Sequence, residues 1–183
     1  MNRYWPFKFI FCLIIYFLFS NSLKAQSVKP LAADSSLKTR AQNVYVEFAG
    51  PGLYFSANYD TRFSKRRDGI GGRIGVGYLD NYGSSFTSVP VQLNYLLGKK
   101  SKYFEAGLGA TWVYFRAPGN VYSDIIYFNR TRGGNSTVLG TMTFGYRYQP
   151  VDGGFSFRAS FNPLFNSSNF EPYVGISLGY TFK

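Results

Sequence analysis

The sequence predicts an all-β protein: an eight-stranded antiparallel transmembrane β-barrel, built as an up-and-down meander. Three observations carry that expectation. The N-terminus has the form of an export signal, the composition is rich in aromatics and glycine, and alternation with a period of two runs from about residue 43 to the end. The chain holds 19 Phe, 16 Tyr and 20 Gly in 183 residues, and no His. Strands favour aromatic and β-branched residues, whereas amphipathic helices favour Leu, Ala, Glu and Lys. The length suits one domain.

Residues 1–25 read as a signal peptide. Arg3 and Lys8 supply the positive start, Phe9 to Phe19 is almost unbroken apolar sequence, and Ser20, Asn21, Ser22 and Ala25 give a small-residue exit. The apolar core is about half of the roughly 20 residues a membrane-spanning helix needs. Cleavage is expected after Ala25, with Ser22 the alternative. Cys12, the only cysteine, follows Phe11 rather than the small residue of a lipoprotein signal, so it reads as an ordinary apolar residue lost on processing. The mature chain then offers neither disulfides nor thiolate metal sites. Loss of Arg3, Lys8 and Lys24 takes the net charge from +11 to +8, because no acid precedes Gln26. Export argues against a nucleic-acid partner for that excess and leaves anionic lipid.

Residues 26–42 carry Pro30 and no period, and read as a flexible periplasmic leader. The barrel is expected over 43–183, with eight segments. The first, Asn43 to Ala49, ends at Gly50-Pro51-Gly52, through which a kinked single strand is the other reading. The second, Leu53 to Phe63, sets Leu53, Phe55, Ala57, Tyr59 and Phe63 against Tyr54, Ser56, Asn58, Asp60 and Arg62. The third spans Ile70 to Leu79. The fourth alternates Val89 to Leu97 around Gln92 and Asn94, with Pro90 expected near a strand end or bulge. The fifth runs from Phe104 to Tyr114, the sixth from Thr137 to Tyr148, the seventh from Phe155 to Asn162 and the eighth from Val174 to Phe182.

Alternation alone does not say which face points inward. The polar face mixes Gly, Ser, Thr and Asn with a few Glu, Asp and Arg, which suits the narrow interior of an eight-stranded barrel. The apolar face is aromatic near strand ends, as at Tyr59, Tyr95, Phe104, Trp112, Tyr148 and Phe182, matching girdles at two membrane interfaces. The connections also alternate. Ser64–Gly69, Gly98–Lys102 and Gln149–Gly153 are tight; Asp80–Ser85, Arg116–Ser136 and Pro163–Pro172 are looser, as expected of short periplasmic turns and longer outer loops. Gly50–Gly52 is the exception, short on the outer side.

With its signal peptide, aromatic-glycine alternation and terminal Gly179-Tyr180-Thr181-Phe182, the chain resembles small outer-membrane β-barrel proteins of the OmpX and OmpA-transmembrane-domain kind over roughly Asn43 to Lys183. The resemblance rests on pattern rather than on a motif. It implies outer-membrane lipids and the barrel-assembly machinery as partners. Its usual assembly signal is a final aromatic residue; here Lys183 follows Phe182.

The absence of His removes Ser-His nucleophile pairs and the commonest metal ligand, so no catalytic residue, metal or cofactor is expected. Gly69-Ile70-Gly71-Gly72 lies in a strand with no helix after it and fails the context test for a phosphate loop. Glu47, Asp60, Arg62, Arg73, Glu105, Arg147 and Arg158 all alternate inward and are expected to interlock as a polar plug. The turn at Ser64–Gly69 should set Asp60 opposite Arg73, and Glu105 should approach Arg147. Lys65, Arg66 and Arg67, with Lys99, Lys100 and Lys102, form basic turns that could be plain solvated charge or could contact lipid headgroups. Arg116, Arg130 and Arg132 are candidates for outer-loop contacts. The function these features favour is a non-enzymatic envelope barrel with a structural or surface-interaction role. A narrow pore or hydrophobic-solute channel is the alternative, and a lipid-modifying enzyme a lesser one.

Overall fold

The computed structural model describes residues 40–81, 84–116, 135–167 and 169–182. The stretch expected to be a signal peptide, nearly all of the expected leader, Arg130 and Arg132 lie outside the described residues. The strands are β1 (Gln42–Ala49), β2 (Phe55–Arg62), β3 (Gly69–Asn81), β4 (Ser84–Lys99), β5 (Lys102–Arg116), β6 (Asn135–Tyr148), β7 (Gly154–Phe161), β8 (Leu164–Phe165), β9 (Phe170–Glu171) and β10 (Val174–Phe182).

Each strand from β1 to β7 pairs antiparallel with the next, and β10 pairs with both β7 and β1, so eight strands close into a barrel. Below, the end where β1 begins and β10 finishes is the lower end, and the opposite end is the upper. The apolar members of the alternation face outward: Val44, Tyr59, Ile74, Leu93, Phe104, Leu108 and Ile176 are all exposed. The polar members face a filled lumen. Eight strands give an interior only wide enough for side chains, and glycine makes some of the room. A Cβ at Gly71 would collide with the Arg62 guanidinium.

Several boundaries differ from the sequence expectation. Gln42 belongs to β1 rather than to the leader, and the Ala41 carbonyl accepts a hydrogen bond from the Arg62 amide at 3.2 Å. Asp80 and Ser85 are not loop residues. The β3–β4 ladder continues through Asp80↔Ser85 to Asn81↔Ser84, leaving a connection of two residues. Pro90 sits at neither a strand end nor a bulge. It is well inside β4 and pairs with Thr111 of β5, while the β3 ladder skips from Ile74↔Val91 to Gly77↔Ser88. The register is the same on both sides of this gap, where Pro90 has no N–H to donate to the ladder.

The stretch 163–172 carries structure of its own. β8 pairs with β6 and β9 pairs with β8, extending the β7–β10 hairpin at the upper end.

The connection Gly50–Gly52 is a 3-10 turn between two separate strands, so the single-kinked-strand alternative falls away. It folds into the barrel rather than over its rim. Ala49, Gly50 and Leu53 have φ of 58°, 80° and 72°, and this left-handed backbone directs the turn inward. Leu53, expected on the outward face, is therefore buried inside.

Candidate functional site

The lower part of the lumen holds a network of charge. Glu47, Asp60, Arg62, Arg73, Glu105, Arg147 and Arg158 are all at most 3% exposed. β2 delivers Asp60 and Arg62 two residues apart, so both point inward from one strand, and Arg62 Nη2 lies 2.6 Å from Asp60 Oδ1. Arg147 Nη2, from β6, approaches the same oxygen at 2.9 Å. Arg158 of β7 holds Glu105 of β5 at 2.8 Å, and Arg147 stands 3.7 Å from that carboxylate.

The register puts Asp60 directly opposite Arg73, yet the ion pair forms elsewhere. Arg73 Nη2 meets Glu47 Oε2 at 2.8 Å, across β2. Directly opposed residues on a barrel wall share a face, but long side chains crossing a narrow lumen choose partners by reach.

Asn94 joins the pieces. Its amide donates to Asp60 Oδ2 at 2.6 Å and to Glu105 Oε1 at 2.9 Å, and its carbonyl oxygen accepts from Arg62 Nη2 at 2.6 Å. One neutral side chain thus separates two carboxylates and ties both to the arginines. Tyr45 is the second unexpected member. Its ring centroid lies 4.3 Å from the Arg158 guanidinium carbon and 5.8 Å from that of Arg73, within cation–π range of both. Both residues sit on the polar side of the alternation, and that parity was the signal available. Gln92, Thr141 and Thr143 continue the network upward, Gln92 Nε2 donating to Thr141 Oγ1 at 2.7 Å.

The upper lumen is different. Leu53, Phe86, Val113, Leu139 and Leu164 form a buried apolar cluster, with Tyr54, Phe115 and Tyr173 packed against it. Tyr54 and Phe86 meet edge to face at 5.1 Å. The inturned 50–52 segment is pinned beneath this cluster: Thr111 Oγ1 donates to the Pro51 carbonyl at 2.7 Å, and Ser88 Oγ to the Gly52 carbonyl at 2.8 Å. Phe86, Val113, Leu139 and Leu164 keep the inward parity of the polar face, whereas Leu53 has the outward parity and enters only through the inturned turn.

The basic turns divide as well. Arg67, read as either solvated turn charge or a lipid-headgroup contact, is buried instead. Its guanidinium donates to the Pro150 carbonyl at 2.5 Å and strings the β2–β3 turn to the β6–β7 turn. Arg66 is exposed but forms a bidentate pair with Asp68 at 2.8 and 3.0 Å. Lys65, Lys99, Lys100 and Lys102 are exposed, as is Arg116 at the upper end of β5. Among the described residues no three potential metal ligands cluster.

The barrel matches the N-terminal β-barrel domain of OprF from Pseudomonas aeruginosa with a TM-score of 0.55 at 12% identity, covering 79% of this chain and 98% of that one. This is the fold of the small outer-membrane barrels. The attachment invasion locus protein Ail of Yersinia pestis also matches, with a TM-score of 0.44 and 14% identity over 78% of this chain and 95% of that one. No family model and no curated protein matches the sequence.

Proposed function

We propose that this chain is a non-enzymatic barrel of the bacterial outer membrane with a structural or surface-interaction role, reached through a cleaved signal peptide at 1–25. The filled lumen carries the reading. The lower half is crossed by arginine–carboxylate pairs, the upper half is closed by an apolar cluster over an inturned turn, and Arg67 ties two turns at the lower mouth. Such an interior supports rigidity rather than passage of a solute. The outward apolar face supports contact with lipid, because a surface of this kind is unfavourable in water. The lower end then faces the periplasm and the upper end the cell exterior. Arg116, with Arg130 and Arg132 of the 117–134 connection, would offer cations to surface phosphates or to a surface partner.

Two measurements test this. The protein should be recovered in the outer-membrane fraction, beginning at Gln26, with a gel band that shifts on boiling in SDS. In planar bilayers the purified protein should give no large steady conductance. Reproducible porin-like currents, absent from detergent controls, would overturn the filled-lumen reading in favour of transport.

A further inference from the structure

The β4–β5 hairpin carries a groove on its outward face and unpaired cations at its foot. The groove has a volume of about 370 Å³ and is lined by Leu93, Tyr95, Ala106, Leu108, Met142 and Phe144 among others, almost all of it apolar. It exists because the register sets Ala106 between Tyr95 and Phe144, so one small side chain stands between two large ones.

Lys99 and Lys102 face each other across the lower end of the same hairpin. Leu97 and Phe104, two residues further in on each strand, point outward and are exposed, so period-two alternation puts both lysines on the outward side as well. Among the described residues no ion pair engages Lys99, Lys100 or Lys102, whereas the neighbouring basic turn neutralises Arg66 with Asp68.

The spacing fits a lipid. Four residues separate Lys102 from Ala106, about 13 Å along a strand. At a strand tilt of roughly 40° that is about 10 Å of depth, inside the ~15 Å of one leaflet's hydrocarbon. A phosphate at the lysines would therefore leave its own acyl chain level with the groove.

We propose that this face is a binding site for one anionic glycerophospholipid of the periplasmic leaflet, with its headgroup on Lys99 and Lys102 and an acyl chain over Ala106. The proposal rests on the membrane placement argued above.

The test reconstitutes the full mature chain into nanodiscs of mixed phosphatidylglycerol and phosphatidylcholine, then measures retained lipid by native mass spectrometry. We expect retention of phosphatidylglycerol over phosphatidylcholine. Lys99→Gln with Lys102→Gln should lower that preference by roughly fivefold per lysine. Ala106→Phe, which fills the groove from outside, should reduce retention of both lipids, and Lys65→Gln with Arg66→Gln should change nothing. The SDS heat shift of every variant reports the barrel independently, so a failure of membrane placement is separable from a failure of the site. Equal retention of the two lipids, an undiminished signal in Ala106→Phe, or an equal loss in the Lys65/Arg66 control would each overturn the proposal.

Discussion

The two halves of the lumen solve the same filling problem with opposite chemistry. Below, Asp60, Glu105 and Glu47 lie among Arg62, Arg147, Arg158 and Arg73, with Asn94 and Tyr45 adding further contacts. Above, Leu53, Phe86, Val113, Leu139 and Leu164 pack without charge. The inturned turn divides them, since its Gly50 lies against the Glu47 carboxylate and Leu53 joins the apolar cluster. A Cβ at Gly50 would come within 2.8 Å of Glu47 Cδ. The difference teaches that parity fixes which strand residues enter a barrel, while position along the axis decides what they meet. It also implies two kinds of fragility. A charged network fails when one member leaves, whereas an apolar cluster loses stability in proportion to the volume removed.

The sharpest attempt to break that contrast is Asp60→Asn. It strips the shared carboxylate from Arg62 and Arg147 and leaves buried cations uncompensated, a loss on the order of 3–5 kcal/mol. Urea unfolding in detergent micelles, followed by intrinsic fluorescence, reads it. A cost below about 1 kcal/mol would mean that water already screens the network. Leu139→Ala in the upper cluster should cost about 3 kcal/mol in the same assay, through lost burial plus a residual cavity.

A third experiment sharpens the comparison through coupling. Glu47→Leu and Arg73→Met should each destabilise, while the double variant should cost less than their sum by about 0.5–3 kcal/mol. Leu139→Ala combined with Glu47→Leu should instead add, because the two layers share no direct partner. Additivity within the Glu47–Arg73 pair would contradict the network description. The smallest effect is expected at Lys65→Gln, an exposed turn cation, where the change in unfolding midpoint should correspond to less than about 0.5 kcal/mol.

Much of this barrel is legible in one dimension. Within the strands, alternation from Val44 onward identifies the outward face, because a strand's side chains must point to opposite sides of the sheet. It marks Glu47, Asp60, Arg62, Arg73, Glu105, Arg147 and Arg158 as inward, and the short turn at Ser64–Gly69 fixes Asp60 opposite Arg73. It also marks Asn94 and Tyr45 as inward, without indicating that they join separate ion pairs. What misled was local chemistry read without its neighbours. Asp80 and Ser85 look like loop residues, yet they stay in the ladder because their hairpin partners continue to pair.

The sequence by itself determined the strand faces, the seven strand-borne charges that turn inward and the approximate strand count, since these follow from the two-residue period of the strand backbone. Tertiary structure alone decided which arginine meets which carboxylate, because those partners converge from strands far apart in sequence. It alone turned Gly50–Gly52 into the lumen, buried Arg67 beneath the turns, and gathered Phe86, Val113, Leu139 and Leu164 into one cluster. Each of these depends on what lies across the closed barrel, a distance that no spacing along the chain encodes.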